Sequence, residues 1–446
     1  MPDEFETRAL SRRELLKRAG IGAAGVVAGG VLAEPVWARP RSLDAGNTIK
    51  IGFVSPLTGP LAGFGEGDPY IVGLAKKGFA KGLTVGGRHY AVQIIDKDSQ
   101  SSPATATQVA NELIHKDSVD LLLATSTPEV VNPATDAAEA SGVPFVGTVD
   151  PWESFYFGRG AKPGGQNPFR YSFLFSFGTA QFASAYEHLW RQVKTNKRVG
   201  VMYPNDTDGN AFRASLIPLL QKAGYKVFDP GGYQDGQTDY TSLISFYKKN
   251  NCQIFHCAPI PPDFTTLWKQ AGQQGYAKMC KIAQLAKTGL FPSQIAASGA
   301  LGPGLSSGVY WAPSFPYHSP LTGLTSREIG DGYTKKTGRQ WNQQLGATMS
   351  VFDVAEAVLK KSGNPKDKTA VANAFQHLSV MTPSGRLHWG TGGARNPVPP
   401  VVTTPIIGGQ WVKQKRGSKF PLDFVICEHS DDPNVPIQGK LKAYNA

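Results

Sequence analysis

Four cysteines in 446 residues are too few for a disulfide scaffold. Cys252, Cys257, Cys280 and Cys427 also lack zinc spacing, because no second Cys or His pair completes a tetrahedral set with Cys252 and Cys257. The eight histidines form no H-E-x-x-H or other ligand pattern, so neither a metal nor a cofactor is expected. No strongly apolar run reaches the about 20 residues that a spanning helix needs. A basic stripe is missing as well. The net charge is +12, but Lys and Arg are scattered, and the densest clusters, "KTNKR" (194–198) and "KQKRG" (413–417), read as solvated loops. That pattern excludes a nucleic-acid partner.

What is present begins with "SRRELLKRAGIGAAGVVAGGVLAEPVWARP" (11–40). Its uncharged stretch from Ile21 to Ala33 is short, and it places Gly22, Gly25, Gly29 and Gly30 where a core helix would lose roughly 1 kcal/mol each. A basic start, a weak apolar middle and small residues at Val36 and Ala38 make an export signal, similar to the twin-arginine kind. No cysteine follows to carry a lipid. A soluble periplasmic protein is expected, with residues 1–38 removed.

From Thr48 onward, strand-length apolar runs alternate with helical patterns. "IKIGFVSPL" (49–57), "YAVQIIDKDSQ" (90–100), "DLLLAT" and "VPFVGTVD" read as strands separated by helices. The alternation restarts with "RVGVMYPN", "YKVFDPGGY", "CQIFHCAP" and "CKIAQLA". Strand and helix in turn mean parallel sheet with helical crossovers, here in two α/β lobes, each a mainly parallel sheet with helices on both faces. Cys252 and Cys280 each precede a strand of the second series. On neighbouring strands their sulfurs would share a sheet edge, which makes them the candidate disulfide against four inert buried thiols.

Enzyme motifs fail on context. "GPLAGFGEGD" (59–68) follows a strand, but it is not G-x-G-x-x-G and no G-K-[ST] follows. "GLSSG" (304–308) fits the serine-hydrolase elbow in letters only, since that elbow needs a strand before it and a helix after it. His256, inside an apolar strand, reads as a core histidine. The polar strand ends are more informative: Thr125, Ser126 and Thr127 in one loop, and Thr148, Asp150 and Trp152 in another. In open parallel sheets ligands bind outside these ends, although Ser, Thr and Asp also serve there simply as caps.

"IKIGFVSPLTGPLAGFG", "IDKDSQSSPATATQVANELIHKDSVDLLLATSTPEVVNPATDAAEASGVPFVGT", "VGVMYPNDTDGNAF" and "SGRLHW" together resemble the periplasmic branched-chain amino-acid-binding proteins of ABC transporters. The resemblance implies a type I periplasmic binding fold, with two lobes joined by three crossovers near residues 172, 311 and 381. Lobe 1 would comprise 39–172 with 312–381, and lobe 2 would comprise 173–311 with 382–446. It implies a monomeric receptor, not an enzyme, that hands a small ligand to an inner-membrane permease. The ligand carboxylate would meet hydroxyls near Ser126 or Thr127 and near Thr148, with Phe64 as the aromatic beside the first Gly-rich turn. Asp208 stands where an aromatic is usual. Near "IAQLAK", where amino-acid binders carry an acid, Lys287 follows Leu285 and Ala286. That leaves Asp150 as a partner for an ammonium, or Lys287 as a partner for a second anion. The ligand is accordingly an amino acid or related compound, with an aromatic or dicarboxylic acid as the alternative.

Overall fold

The computed structural model describes residues 47–162 and 164–444. The export stretch and its cut site lie outside the described residues. The fold is built from strands that are apolar on both faces. In Thr48–Ser55 (β1), Ile49, Ile51 and Phe53 enter one core while Val54 enters another. Leu121–Thr125 (β4) repeats this, with Leu121 and Leu123 on one side and Leu122 and Ala124 on the other. Burying each such side chain contributes roughly 1.5–3 kcal/mol. Strands of this kind need cover on both faces, which crossover helices supply.

Between and after these two come Leu83–Val85 (β2), Arg88–Asp98 (β3), Phe145–Thr148 (β5) and Ser172–Ser176 (β6). Arg198–Met202 (β7), Lys226–Phe228 (β8), Ile254–Cys257 (β9), Ile282–Leu285 (β10) and Ser306–Val309 (β11) follow. The chain ends with Ser379–Thr382 (β12), Gly385–His388 (β13), Val401–Thr403 (β14), Ile407–Lys413 (β15) and Leu422–Glu428 (β16). Among the described residues, two seven-stranded sheets form, ordered β14-β6-β5-β4-β1-β3-β2 and β16-β15-β11-β10-β9-β7-β8. The β2–β3, β11–β15 and β15–β16 pairs are antiparallel, and the other pairs in both sheets are parallel. Two helix ends show ordinary capping. Ser102 caps the helix Pro103–Asn111 with its side chain on the Thr105 amide, and Gly224, at φ +86°, closes the turn after the helix ending at Lys222.

The first sheet extends further along the chain than the sequence boundaries place it. Residues 172–176 pair with β5, and Val401–Thr403 pairs in parallel with β6. The chain therefore leaves this sheet after 176 rather than at 172, and leaves it for the last time after 403 rather than near 381. The stretch "VVTTPIIGGQWV" is two strands in two sheets. Pro405 lies between them, where it removes a ladder donor. The long helix Gln344–Lys361 packs along the first sheet, burying Leu345, Met349, Phe352 and Val358. No helix among the described residues is long and apolar enough to cross a membrane.

Candidate functional site

The carboxyl ends of both sheets face a cavity between the lobes. In the first lobe, β4 runs out into Ser126 and Thr127 at φ +78° and +70°, and β5 into Val149 at φ +59°. None of these is glycine, and two are β-branched. Backbone of this kind costs on the order of 1–3 kcal/mol per residue and collects where a loop is held for a purpose. The loops hold each other. The Ser126 amide donates to the Thr148 carbonyl (3.2 Å), and the Thr127 amide donates to that of Val149 (2.9 Å). Thr127 then caps the helix Pro128–Ala140 without using its side chain. Its hydroxyl is buried and has no hydrogen-bond partner among the described residues.

The second lobe offers charge. Asp206 caps the helix Thr207–Ala211, accepting from the Gly209 amide at 2.6 Å. The Lys287 ammonium, just past β10, lies 3.0 Å from Asp206 Oδ2 and 3.0 Å from Asp208 Oδ2. Burial opposes a charge on Lys287, but Asp208, Asp206 and Glu129 outweigh it and hold the ammonium well above its ordinary range. Asp208 is raised too, which favours its neutral form. Burial raises it, Glu129 and Asp206 add to the rise, and Lys287 only partly offsets them.

Phe64, Thr127, Val149 and Pro151 line the cavity from the first lobe, while Phe182, Asp208, Phe212, Lys287 and Leu290 line it from the second, with Phe177 and Tyr310 at the crossovers. The rings interlock. Phe64 meets Phe291 edge-on at 4.8 Å, Phe177 stacks on Tyr310 at 5.3 Å, and Phe182 meets Phe212 at 5.6 Å. The free volume is about 40 Å³, a few times the roughly 10–15 Å³ that one water needs on the same measure.

Of the residues singled out from sequence, the structure brings Phe64, Thr127, Asp208 and Lys287 to this cavity. Ser126, Thr148, Asp150 and Trp152 lie around the same loops but do not line it. The Ser126 hydroxyl accepts from Gln344 Nε2 (3.0 Å), and Gln344 in turn accepts from the Tyr310 hydroxyl (2.9 Å). Thr148 is buried within its strand end, and Trp152 turns onto Phe157 at 5.4 Å. Asp150 is fully buried. Sequence reasoning missed Asp206, Glu129, Gln344, Phe177, Phe182 and Phe212, whereas Tyr310 belongs to "VYWAPSFPY", which with "DPWESFYF" offers aromatic walls that core packing explains in part. Acids at a helix start are ordinary caps and carry no mark of a site.

The remaining sequence candidates resolve into packing. Cys252 and Cys280 do precede the neighbouring strands β9 and β10, but among the described residues all four cysteines are free and buried, so the expected disulfide is not formed. Burial pushes the Cys252 thiol up to about 11 and the Cys280 thiol up to about 12, which keeps both protonated and unreactive. His256 is pushed down to about 3 by burial, and its Nδ1 lies 2.7 Å from the Tyr203 hydroxyl. In "GLSSG" both serines sit within β11. Ser306 donates to the Ala283 carbonyl and Ser307 to that of Leu285, each at 3.1 Å, so neither is a poised nucleophile.

Two lobes with strand ends facing a shared cavity define a binding protein of the two-lobed periplasmic class. The chain belongs to the periplasmic binding protein family, whose model matches residues 48–404. It is 26% identical over 234 residues to a leucine-, isoleucine-, valine-, threonine- and alanine-binding protein of Pseudomonas aeruginosa, a match spanning 52% of this chain and only 59% of that protein. A Leu/Ile/Val-binding protein of Citrobacter freundii is 21% identical, with 77% of this chain and 87% of that protein aligned. Among solved structures, a solute-binding protein of an ABC transporter from Rhodopseudomonas palustris, in complex with 3,4-dihydroxybenzoic acid, aligns with a TM-score of 0.67 at 17% identity, covering 90% and 98% of the two chains. A branched-chain amino acid transporter substrate-binding protein from Streptococcus pneumoniae, in complex with isoleucine, aligns with a TM-score of 0.62 at 15% identity, covering 85% and 99%.

Proposed function

We propose that this protein is an extracytoplasmic solute receptor. It would capture a small carboxylate-bearing ligand, an amino acid or related compound, between its lobes and deliver it to an ABC permease. The observation that carries this reading is the unpartnered Thr127 hydroxyl at the start of the helix Pro128–Ala140, facing a ring-lined cavity. A hydroxyl at a helix N-terminus suits a carboxylate, which the helix dipole also favours. Phe64, Phe182, Phe212 and Tyr310 would enclose the apolar body. Asp208 and Lys287 would close the site from the second lobe, and Ser126, Thr148, Asp150 and Trp152 would act through the loops that hold Thr127. Export through a twin-arginine signal, release into the periplasm without a lipid anchor, and action as a monomer complete the proposal.

The density of aromatic rings favours a second reading, in which the ligand is an aromatic acid. Isothermal calorimetry with L-leucine, L-isoleucine, L-phenylalanine, benzoate and 3,4-dihydroxybenzoate tests both. One-to-one binding by an amino acid supports the first reading, and binding by the benzoates alone supports the second. Heat from none of the five, together with hydrolysis of an ester panel, would overturn the receptor role in favour of an exported hydrolase.

A further inference from the structure

One dense basic cluster of the chain has a neighbour that the order of residues does not show. The tip of the β15–β16 hairpin, "KQKRGSKFPL" (413–422), carries four cations and no acid. In the first lobe the helix Ser326–Thr337 packs on Gln344–Lys361 and ends on Lys335 and Lys336. Arg339 lies just beyond, and 332–341 contains no acid either. Cations at a helix end are ordinary company for its dipole. A second basic cluster beside them is not. Lys419 Nζ donates to the Thr334 carbonyl at 3.4 Å, and Gln340 Nε2 donates to the Leu422 carbonyl at 2.9 Å. Both bonds run from one lobe to the other, and Arg339 and Phe420 line one groove of about 440 Å³. All of these cations are exposed. Among the described residues only Arg339 meets a carboxylate, that of Glu66 at 3.2 Å.

We propose that this shared basic face is a docking surface for anionic phospholipid headgroups, assembled when the lobes are together. Like charges brought side by side oppose closure, and an anionic surface that binds both clusters removes the opposition. The membrane surface thus holds the closed form better than the open one, and by reciprocity it favours closure. Lipid suits the face better than protein does. Neither 335–340 nor 413–419 contains an aliphatic or aromatic residue, whereas a protein interface centres on buried aromatic anchors. Headgroup attraction needs only clustered Lys and Arg. The proposal takes the parting of the lobes from the receptor reading and makes no use of the ligand cavity.

Co-sedimentation of the full chain with vesicles of phosphatidylglycerol and phosphatidylethanolamine, against vesicles of phosphatidylcholine alone, tests this. It needs no ligand, so its failure leaves the calorimetric test of the receptor role untouched. Binding should require phosphatidylglycerol and fall at least about tenfold between about 0.05 M and about 0.5 M salt. Lys415→Glu with Arg416→Glu, and Lys335→Glu with Lys336→Glu, should each weaken it at least about tenfold, with circular dichroism confirming the fold. Lys194→Glu with Lys197→Glu changes the net charge equally, just ahead of β7 on the far side of the second sheet, and should leave binding nearly unchanged. Equal binding to phosphatidylcholine, equal loss in all three pairs, or loss confined to one lobe's pair would overturn the proposal. Binding to neither vesicle would overturn it in favour of an acidic protein partner.

Discussion

The two lobes bring different chemistry to one cavity. The first supplies shape: three non-glycine residues at positive φ, laced amide to carbonyl, presenting one free hydroxyl. The second supplies charge: an ammonium between two carboxylates, seated on a helix cap and a strand end. Strained backbone fixes a neutral group in place without a counter-charge. A charged trio is fixed by its own attraction but depends on every member, because removing one strands the others in a dry site. The second lobe should therefore be the more fragile to substitution and to pH, and the first more fragile in what it binds.

The largest effect expected is from Lys287→Met. It leaves the buried Asp208 and the half-buried Asp206 without their cation and should lower stability by about 3–5 kcal/mol in denaturant titration at pH 8. A loss below about 1 kcal/mol would mean that the trio does not hold the lobe. Next comes pH. The folded-state pKa of Asp208 is raised, mainly by burial, so its contribution is fully present below its unfolded pKa and is lost as pH rises through the folded one. Wild-type stability should thus fall between pH 4 and pH 8 by at least about 1.4 kcal/mol, the equivalent of one pKa unit. Asp208→Asn should flatten that slope, and an unaltered slope would assign the titration elsewhere.

Smaller effects belong to the first lobe. Thr127→Val keeps the shape and removes the hydroxyl, so calorimetry should show affinity weakened by about 0.5–1.5 kcal/mol with stability little changed. Thr127→Gly should go the opposite way in stability. Relief of strain at φ +70°, on the order of 1–3 kcal/mol, outweighs the about 0.4–1 kcal/mol that glycine's added freedom gives the unfolded chain. A rise in melting temperature alongside weaker binding is expected, whereas a fall would show that the loop is not strained.

The sheets were legible because their strands are apolar on both faces and separated by helical patterns, as in "IKIGFVSPL" and "DLLLAT". "VVTTPIIGGQWV" also reads as strand, but the sheet that β14 joins was not legible, because three apolar residues ahead of Pro405 do not say which neighbour they pair with. At the site, topology pointed to the right loops, since ligands meet parallel sheets at their carboxyl ends. It could not say which side chain faces in. Positive φ at Ser126, Thr127 and Val149 re-aims the chain residue by residue, so Thr127 faces the cavity while Ser126 turns to Gln344. Phe182 and Phe212 stayed hidden for another reason. They lie on helical stretches, where an aromatic at core spacing reads the same whether it packs on protein or on a ligand.

That the lobes close on a ligand held between a hydroxyl and a charged trio is tested most directly by small-angle scattering at pH 8, with and without saturating amounts of a ligand established by calorimetry. A receptor that closes on its ligand would part its lobes for loading and bring them together afterwards. The bound protein should show the smaller radius of gyration, and Lys287→Met should lose part of that compaction. An identical radius in the free and saturated protein would contradict it.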